Sequence, residues 1–182
     1  MNRLKEIVGE SIVLSLMTQK DLPKYMELYQ DSEFMKNFGE IEGVEQTNEQ
    51  WYEWFLGLDY RQDERVYSIF ERNHDSWIGF IMLMDIDEEE KEAWLVIGLD
   101  AAWRNRGYGT QALKAMIQSA FLELELRVLK LSVLGENERA IRVYEHLGFE
   151  VELIYPRLQF PNVFNRDIIQ YQLTRSRWNL LL

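Results

Sequence analysis

The segment Leu99-Asp100-Ala101-Ala102-Trp103-Arg104-Asn105-Arg106-Gly107-Tyr108-Gly109-Thr110 constrains this chain more than any other. A strand pattern, Ala93 to Leu99, runs into it. A stripe of Leu113, Met116, Ile117, Ala120 and Phe121 at helical spacing runs out. A strand must therefore give way to a long helix, Gly107 to Leu122, through one short loop of basic residues and glycine. Glycines at 107 and 109 let backbone approach a ligand closely, and the first turn of a helix offers unpaired N–H groups to an anion. Arg104 and Arg106 add positive charge. The loop suits a diphosphate cradled by amides; the alternative is a tight strand-to-helix turn and nothing more. It is not a Walker loop, because the Gly-Lys-Ser/Thr ending is missing, and it lacks the third glycine of a Rossmann fingerprint.

The elements around this segment alternate in type. Ser11 to Met17 reads as a first strand. Thr18-Gln19-Lys20-Asp21 then has the form of a capping box opening a helix with Leu22, Tyr25, Met26 and Tyr29 on one face. A second box, Thr47-Asn48-Glu49-Gln50, precedes Trp51, Trp54, Phe55 and Leu58 at the same spacing. Val66–Phe70, Trp77–Asp85 and Ala93–Leu99 read as three strands, with the charged run Asp87 to Lys91 as the last hairpin turn. After the long helix come a strand over Val128–Leu134, a helix over Glu136–Leu147 stopped by Gly148, and strands over Phe149–Tyr155 and Ile168–Leu173. The order β-α-α-β-β-β-α-β-α-β-β predicts a mixed α+β sheet, mostly antiparallel, in a single domain spanning residues 1–182.

Composition removes several kinds of chemistry. The chain has 182 residues and no cysteine, so disulfides, thiolate metal sites and cysteine nucleophiles are excluded. Two histidines far apart, His74 and His146, make a histidine-rich metal site a poor expectation. Gly9-Glu10-Ser11-Ile12-Val13 lacks the second glycine of a hydrolase nucleophile elbow. A net charge of −11 argues against a nucleic-acid partner, and the absence of a long apolar run argues against a membrane span. The expected setting is soluble and cytoplasmic.

A second constellation begins 28 residues past Gly109, at Asn137-Glu138-Arg139-Ala140-Ile141-Arg142-Val143-Tyr144 followed by Leu147-Gly148-Phe149. Asn137 stands where a strand gives way to a helix, able to cap it or to bond a ligand amide. Tyr144 lies two turns on, facing the same side. Taken alone, the two residues read more simply as an N-cap and a core aromatic.

Taken together, Arg104-x-x-Gly107-x-Gly109 and Asn137-x-x-Ala140-x-x-x-Tyr144-x-x-x-Gly148-Phe149 resemble the acetyl-CoA-binding core of the GNAT superfamily of N-acetyltransferases. The C-terminal Asn165-Arg166-Asp167-Ile168-Ile169-Gln170-Tyr171-Gln172-Leu173 further resembles its RimJ/RimL-like branch, which includes ribosomal-protein N-terminal and spermidine acetyltransferases. The resemblance implies a sheet splayed between the fourth and fifth strands in sequence order, Ala93–Leu99 and Val128–Leu134. It implies acetyl-CoA as co-substrate, with no metal. Backbone groups of Ile97 and Leu99 would position the thioester. Amides of Arg104, Asn105, Arg106, Gly107, Tyr108, Gly109 and Thr110 would hold the diphosphate, and Asn137 would bond the pantetheine. A primary amine would attack directly in a ternary complex, and Tyr144 would protonate the departing thiolate. Several relatives carry a Glu where this chain has Trp94. Glu92, two residues earlier on the same face, is the substitute candidate for a general base; ordered water or no dedicated base are the alternatives. The rival to catalysis is a sensor or scaffold that binds acyl-CoA without turnover.

Charge is uneven. Residues 27–64 hold eleven acids against Lys36 and Arg61, giving −9, whereas 101–148 hold seven Lys/Arg and five Glu, giving +2. An acidic wall beside the acceptor site would favour a cationic amine, such as a polyamine, an aminoglycoside or a basic peptide N-terminus. The alternative is an ordinary solvated acidic surface. Trp51, Trp54, Phe55 and Tyr60 either line that cleft or pack the helix. The apolar end Trp178-Asn179-Leu180-Leu181-Leu182 suggests a contact with its own domain or with a second copy in a homodimer.

Overall fold

The computed structural model describes residues 6–38, 46–72, 76–157 and 166–182. An eight-stranded sheet runs in the order β1 (Glu6–Val8), β2 (Ile12–Leu16), β3 (Arg65–Glu71), β4 (Trp77–Asp87), β5 (Glu92–Leu99), β6 (Val128–Leu134), β8 (Ile168–Thr174), β7 (Glu150–Tyr155). Every neighbouring pair is antiparallel except β5–β6, which the crossover through α4 (Tyr108–Leu122) makes parallel. The remaining helices are α1 (Leu22–Leu28), α2 (Ser32–Phe38), α3 (Asn48–Gly57), α5 (Glu138–His146) and α6 (Arg175–Asn179). The fold is the mixed, mostly antiparallel sheet that the element order predicts. A short β1 precedes the first expected strand, so the two splayed strands are β5 and β6.

Helices cover both faces of the middle of the sheet, which is why β3 and β4 read as nearly continuous apolar runs instead of alternating. On one face, α4 packs Leu113, Met116, Ile117 and Ala120 against Leu14, Ile69, Ile81 and Leu95. On the other, Tyr25, Leu28 and Phe34 pack on Val66, Phe80 and Met82. Trp51, Trp54 and Phe55 join this second cluster, with Trp54 stacked on Tyr25 at 5.0 Å, so they pack and do not line a cleft. Tyr60 is 88% exposed.

Two local expectations need correction. Thr18 does not cap α1: its N–H and hydroxyl both donate to Asp21 Oδ2, at 2.8 and 2.9 Å, and the helix starts only at Leu22. The Thr47 box does form, Gln50 N–H donating to Thr47 Oγ1 and Thr47 N–H to Gln50 Oε1. The segment after α1, read only as acidic, contains α2, whose first turn is capped by Asp31 Oδ1 accepting from Phe34 N–H at 2.5 Å. The C-terminus docks on its own domain: Trp178 lies 5.4 Å from Phe121, and Arg177 Nε donates to Gly148 O at 2.7 Å. Among the described residues, no helix is long and apolar enough to cross a membrane.

Candidate active site

β5 and β6 stay paired for only three residues, Glu92↔Val128, Ala93↔Leu129 and Trp94↔Lys130. Beyond Trp94 no ladder pair joins them, and a cavity of about 930 Å³ opens through the sheet. Asp100 N–H donates to Ile78 O, which fixes the phase of the β4–β5 ladder. Leu99 and Ile97 therefore form the non-hydrogen-bonded pairs with Gly79 and Ile81 and aim their own N–H and C=O groups away from β4, into the splay. That opening is a place where a strand-like ligand arm can find backbone partners.

One end of the cavity is the loop between β5 and α4. Asn105 and Gly107 both hold positive φ, 63° and 83°, which turns successive amides toward the helix start. The α4 ladder begins with Gln111 N–H on Gly107 O, so the amides of Tyr108, Gly109 and Thr110 have no intrahelical acceptor. A Cβ at Gly107 would meet nothing within 4 Å; at Gly109 it would meet Leu99 Cδ1 at 3.1 Å. The first glycine serves the backbone turn, and the second allows the helix to seat on β5. Two further features agree with an anion here: the α4 dipole and the absence of any carboxylate among 100–110 apart from Asp100, which accepts from Ala102 N–H. A diphosphate fits this cradle.

The basic side chains of the loop do not serve as expected. Arg106 lies over the Trp103 ring at 5.5 Å, and Tyr108 donates its hydroxyl to Glu71 at 2.6 Å; neither side chain lines the cavity. Arg104 borders the cavity, but its guanidinium is bound to Leu99 O, Glu33 and Asp31. The Leu99 carbonyl is thereby occupied, leaving Ile97 as the expected pair's freer member. The cradle's charge is supplied by amides instead of these arginines.

Asn137 and Tyr144, at the start and near the end of α5, both line the cavity. Asn137 caps α5: its Oδ1 accepts from Ala140 N–H at 3.2 Å, and its amide NH₂ remains as a donor. The Tyr144 ring is held against Phe149 and Tyr171. Its hydroxyl has no hydrogen-bond partner among the described residues, and burial pushes the phenol up to about 12. It is a neutral donor throughout the physiological range.

Glu92 is separated from this group. Its carboxylate is paired with Lys130 Nζ at 2.8 Å, at the end where β5 and β6 still touch. Five residues of extended chain, about 16 Å, separate it from Ile97. An ion-paired carboxylate at that distance does not reach an amine at the splay, and the general-base expectation is withdrawn.

The cavity is also lined by residues that the sequence did not point to: Phe34 and Asn37 of α2, Ser132 of β6 and, toward the end where β5 and β6 still pair, Met84, Asp85 and Trp94. Asp85 sits in the bulge between Met84 and Asp87 with φ 50°. It is exposed and makes no hydrogen bond or ion pair among the described residues. Among the described residues of the acidic segment 27–64, only Glu33 reaches the cavity, and it is paired with Arg104. Glu40, Glu42 and Glu45 lie outside the described residues. Asp85, on β4 and outside that segment, brings a further carboxylate to the cavity.

The acetyltransferase (GNAT) domain family matches residues 11–150, most of the chain. The chain belongs to the GNAT acetyltransferases. As such it is an acetyl-CoA-dependent N-acetyltransferase, and the splayed β5–β6 pair with the amide cradle is the core of that fold. The spermidine N(1)-acetyltransferase of Escherichia coli (strain K12) is 29% identical over 131 residues, covering 66% of this chain and 70% of that protein. The L-amino acid N-acetyltransferase AaaT of the same organism is 36% identical over 56 residues, 31% of this chain and 35% of that protein. The spermidine N-acetyltransferase of Vibrio cholerae, solved in complex with CoA and spermine, has the same fold: TM-score 0.84 at 20% identity, covering 93% of this chain and 98% of that one. Two relatives with different acceptors mean that this GNAT protein's amine must be argued from its own cavity.

Proposed function

We propose that the acceptor is a cationic primary amine of the polyamine kind, entering from the α2 side, and that acetyl transfer takes place where β5 and β6 part. The observation that carries this reading is that the Asp85 carboxylate, unpaired among the described residues, and Trp94 both line the cavity toward the end where β5 and β6 still pair, away from the amide cradle. An aromatic face and a carboxylate together recognise an ammonium group. The resemblance of the RimJ/RimL-like C-terminal pattern and the polyamine acetyltransferase among the relatives agree with it.

In this reading the amides of Gly107, Tyr108, Gly109 and Thr110 hold the diphosphate, the free edge at Ile97 holds the pantetheine arm, and Asn137 donates to it. Acetyl-CoA supplies the activated acyl group as a thioester. The protein holds the amine and the carbonyl carbon in line, which accounts for much of the rate through proximity. The amine loses its proton before attack; Glu92 is held by Lys130 away from the splay, and in this reading that proton leaves to water. Tyr144 holds its phenolic proton against the departing sulfur. Asp85 binds the amine as its cation, and by favouring that charge it also raises the amine's pKa. It therefore best serves a second ammonium of a polyamine, set back from the reacting one.

The test compares kcat/KM for spermidine with that for an alkyl monoamine of equal length, in native protein and in Asp85→Asn. The reading expects a preference for spermidine that falls about tenfold in Asp85→Asn and shrinks with salt. Equal values for both amines in the native protein at low salt contradict it.

A further inference from the structure

Arg104 stands first in the glycine loop, where its charge is expected to face the diphosphate, yet its donors all point elsewhere. Nε donates to Leu99 O at 2.9 Å, one terminal nitrogen reaches Glu33 at 2.9 Å, and the other reaches Asp31 at 2.8 Å. The side chain is only 10% exposed. Glu33 is mostly solvated, so its share is small, whereas Asp31 is 28% exposed. Burial alone would push the Asp31 carboxyl up, but the Arg104 guanidinium and the Phe34 amide outweigh it and hold the carboxyl below its ordinary range. Asp31 thus carries two jobs: it caps α2 and it receives Arg104.

The helix it caps is the wall of the amine side. Phe34 and Asn37 of α2 line the cavity, α2 lies against β6 across the opening, and Phe34 seats on Gly98 of β5 so closely that a Cβ there would come within 2.6 Å of its ring. One guanidinium therefore connects the backbone of the cofactor loop to the element that shapes the acceptor end.

We infer that Arg104 is a positioning residue for the acceptor pocket: the Arg104–Asp31 latch sets where α2 stands, and its loss shows in amine binding and not in CoA binding. This rests on the proposed division of the cavity into a cofactor end and an amine end. The latch makes amine selection depend on the loop that holds the diphosphate, although no side chain of that loop touches the amine.

The experiment measures spermidine KM, kcat and the dissociation constant for CoA in Asp31→Asn, Arg104→Gln, Arg104→Lys and the double variant Asp31→Asn/Arg104→Gln. Asp31→Asn and Arg104→Gln are each expected to raise amine KM about tenfold with CoA affinity within about twofold, and the double variant to be about as affected as Arg104→Gln alone, because both substitutions act through the shared Asp31–Arg104 pair. Arg104→Lys, which keeps charge but reaches a single carboxylate, is expected to fall between. If Arg104→Gln weakens CoA tenfold while amine KM stays, the arginine serves the diphosphate and the inference is overturned. Additive effects in the double variant overturn it as well. Should Arg104→Gln fail to fold, Asp31→Asn carries the test alone, since it leaves the guanidinium in place; an unchanged amine KM there is equally fatal. Failure of native protein to bind CoA or to acetylate spermidine would instead strike the parent reading.

Discussion

Tyr144→Phe removes one oxygen atom, and the structure states what should and should not change. The phenol is held at about 12 by burial. An ordinary thiol lies near 8.5, so complete proton transfer from Tyr144 to the leaving sulfur runs uphill by about 3.5 units, roughly 5 kcal/mol. The useful interaction is therefore a hydrogen bond from a neutral donor to a sulfur gaining negative charge, with the net proton coming from the amine. A hydrogen bond to a charged group contributes about 1.5–3 kcal/mol, which predicts a kcat loss of about 10- to 150-fold. That lies at or below the bottom of the range of about 10²–10⁴-fold expected for full acid catalysis. Because the hydroxyl bonds no protein group among the described residues, its removal orphans nothing, and the ring still packs on Phe149 and Tyr171. Melting temperature and CoA affinity should therefore stay near their native values. Steady-state kinetics by thiol release, with CoA titrated in parallel, give all three quantities. A kcat loss under about threefold, or a fall in CoA affinity as large as the fall in kcat, would refute the reasoning. The pH profile is a second check: a descending limb below pH 10 that disappears in Tyr144→Phe would mean the phenol ionises far earlier than its burial allows.

Other perturbations follow from the same geometry. Glu92→Gln should leave kcat for spermidine within about twofold and cost at most about 1 kcal/mol of stability, since it only breaks a part-exposed pair with Lys130; a hundredfold kcat loss in that variant would restore Glu92 as a base. Gly98→Ala should cost about 1–3 kcal/mol by overpacking against Phe34 and Phe80, and should raise amine KM by displacing α2; thermal melts and kinetics read both. Gly107→Ala, at φ 83°, should cost about 1–2 kcal/mol of backbone strain and weaken CoA through the tilted amides, while leaving the stability ranking of the other variants unchanged. Between pH 10 and 12 the native protein should lose about 2–3 kcal/mol that Tyr144→Phe retains. The raised folded-state pKa contributes in full below the unfolded value of 10 and is lost as pH climbs through about 12.

Much of the site was legible because its chemistry is local. The β5-loop-α4 segment combines a strand end, glycines and a helical stripe within a few residues, so Gly107 and Gly109 stand out locally, whereas Asn137 and Tyr144 stand out only through the resemblance that the two motifs carry together. What was not legible depends on distant partners. Arg104 meets Asp31 across 73 residues, and nothing around the glycine loop shows that its charge is already taken. Asp85 enters the cavity through a β-bulge, and a bulge in an apolar strand leaves no periodicity to read. Glu92 was chosen by face alone, which in a strand says nothing of how far along the splay a side chain stands. α2 is seven residues long inside an acidic stretch, and the charge drew attention from its cap. Asp31 three residues before Phe34 was the available signal.

A crystal structure of the protein with CoA tests the central claim most directly. The account predicts the diphosphate on the amides of Gly107 to Thr110, the pantetheine along the free edge of β5 at Ile97, and the sulfur within hydrogen-bonding reach of Tyr144 Oη, with Asp85 and Trp94 on the far side of it. A sulfur more than about 6 Å from that hydroxyl, or CoA bound outside the β5–β6 opening, would contradict it.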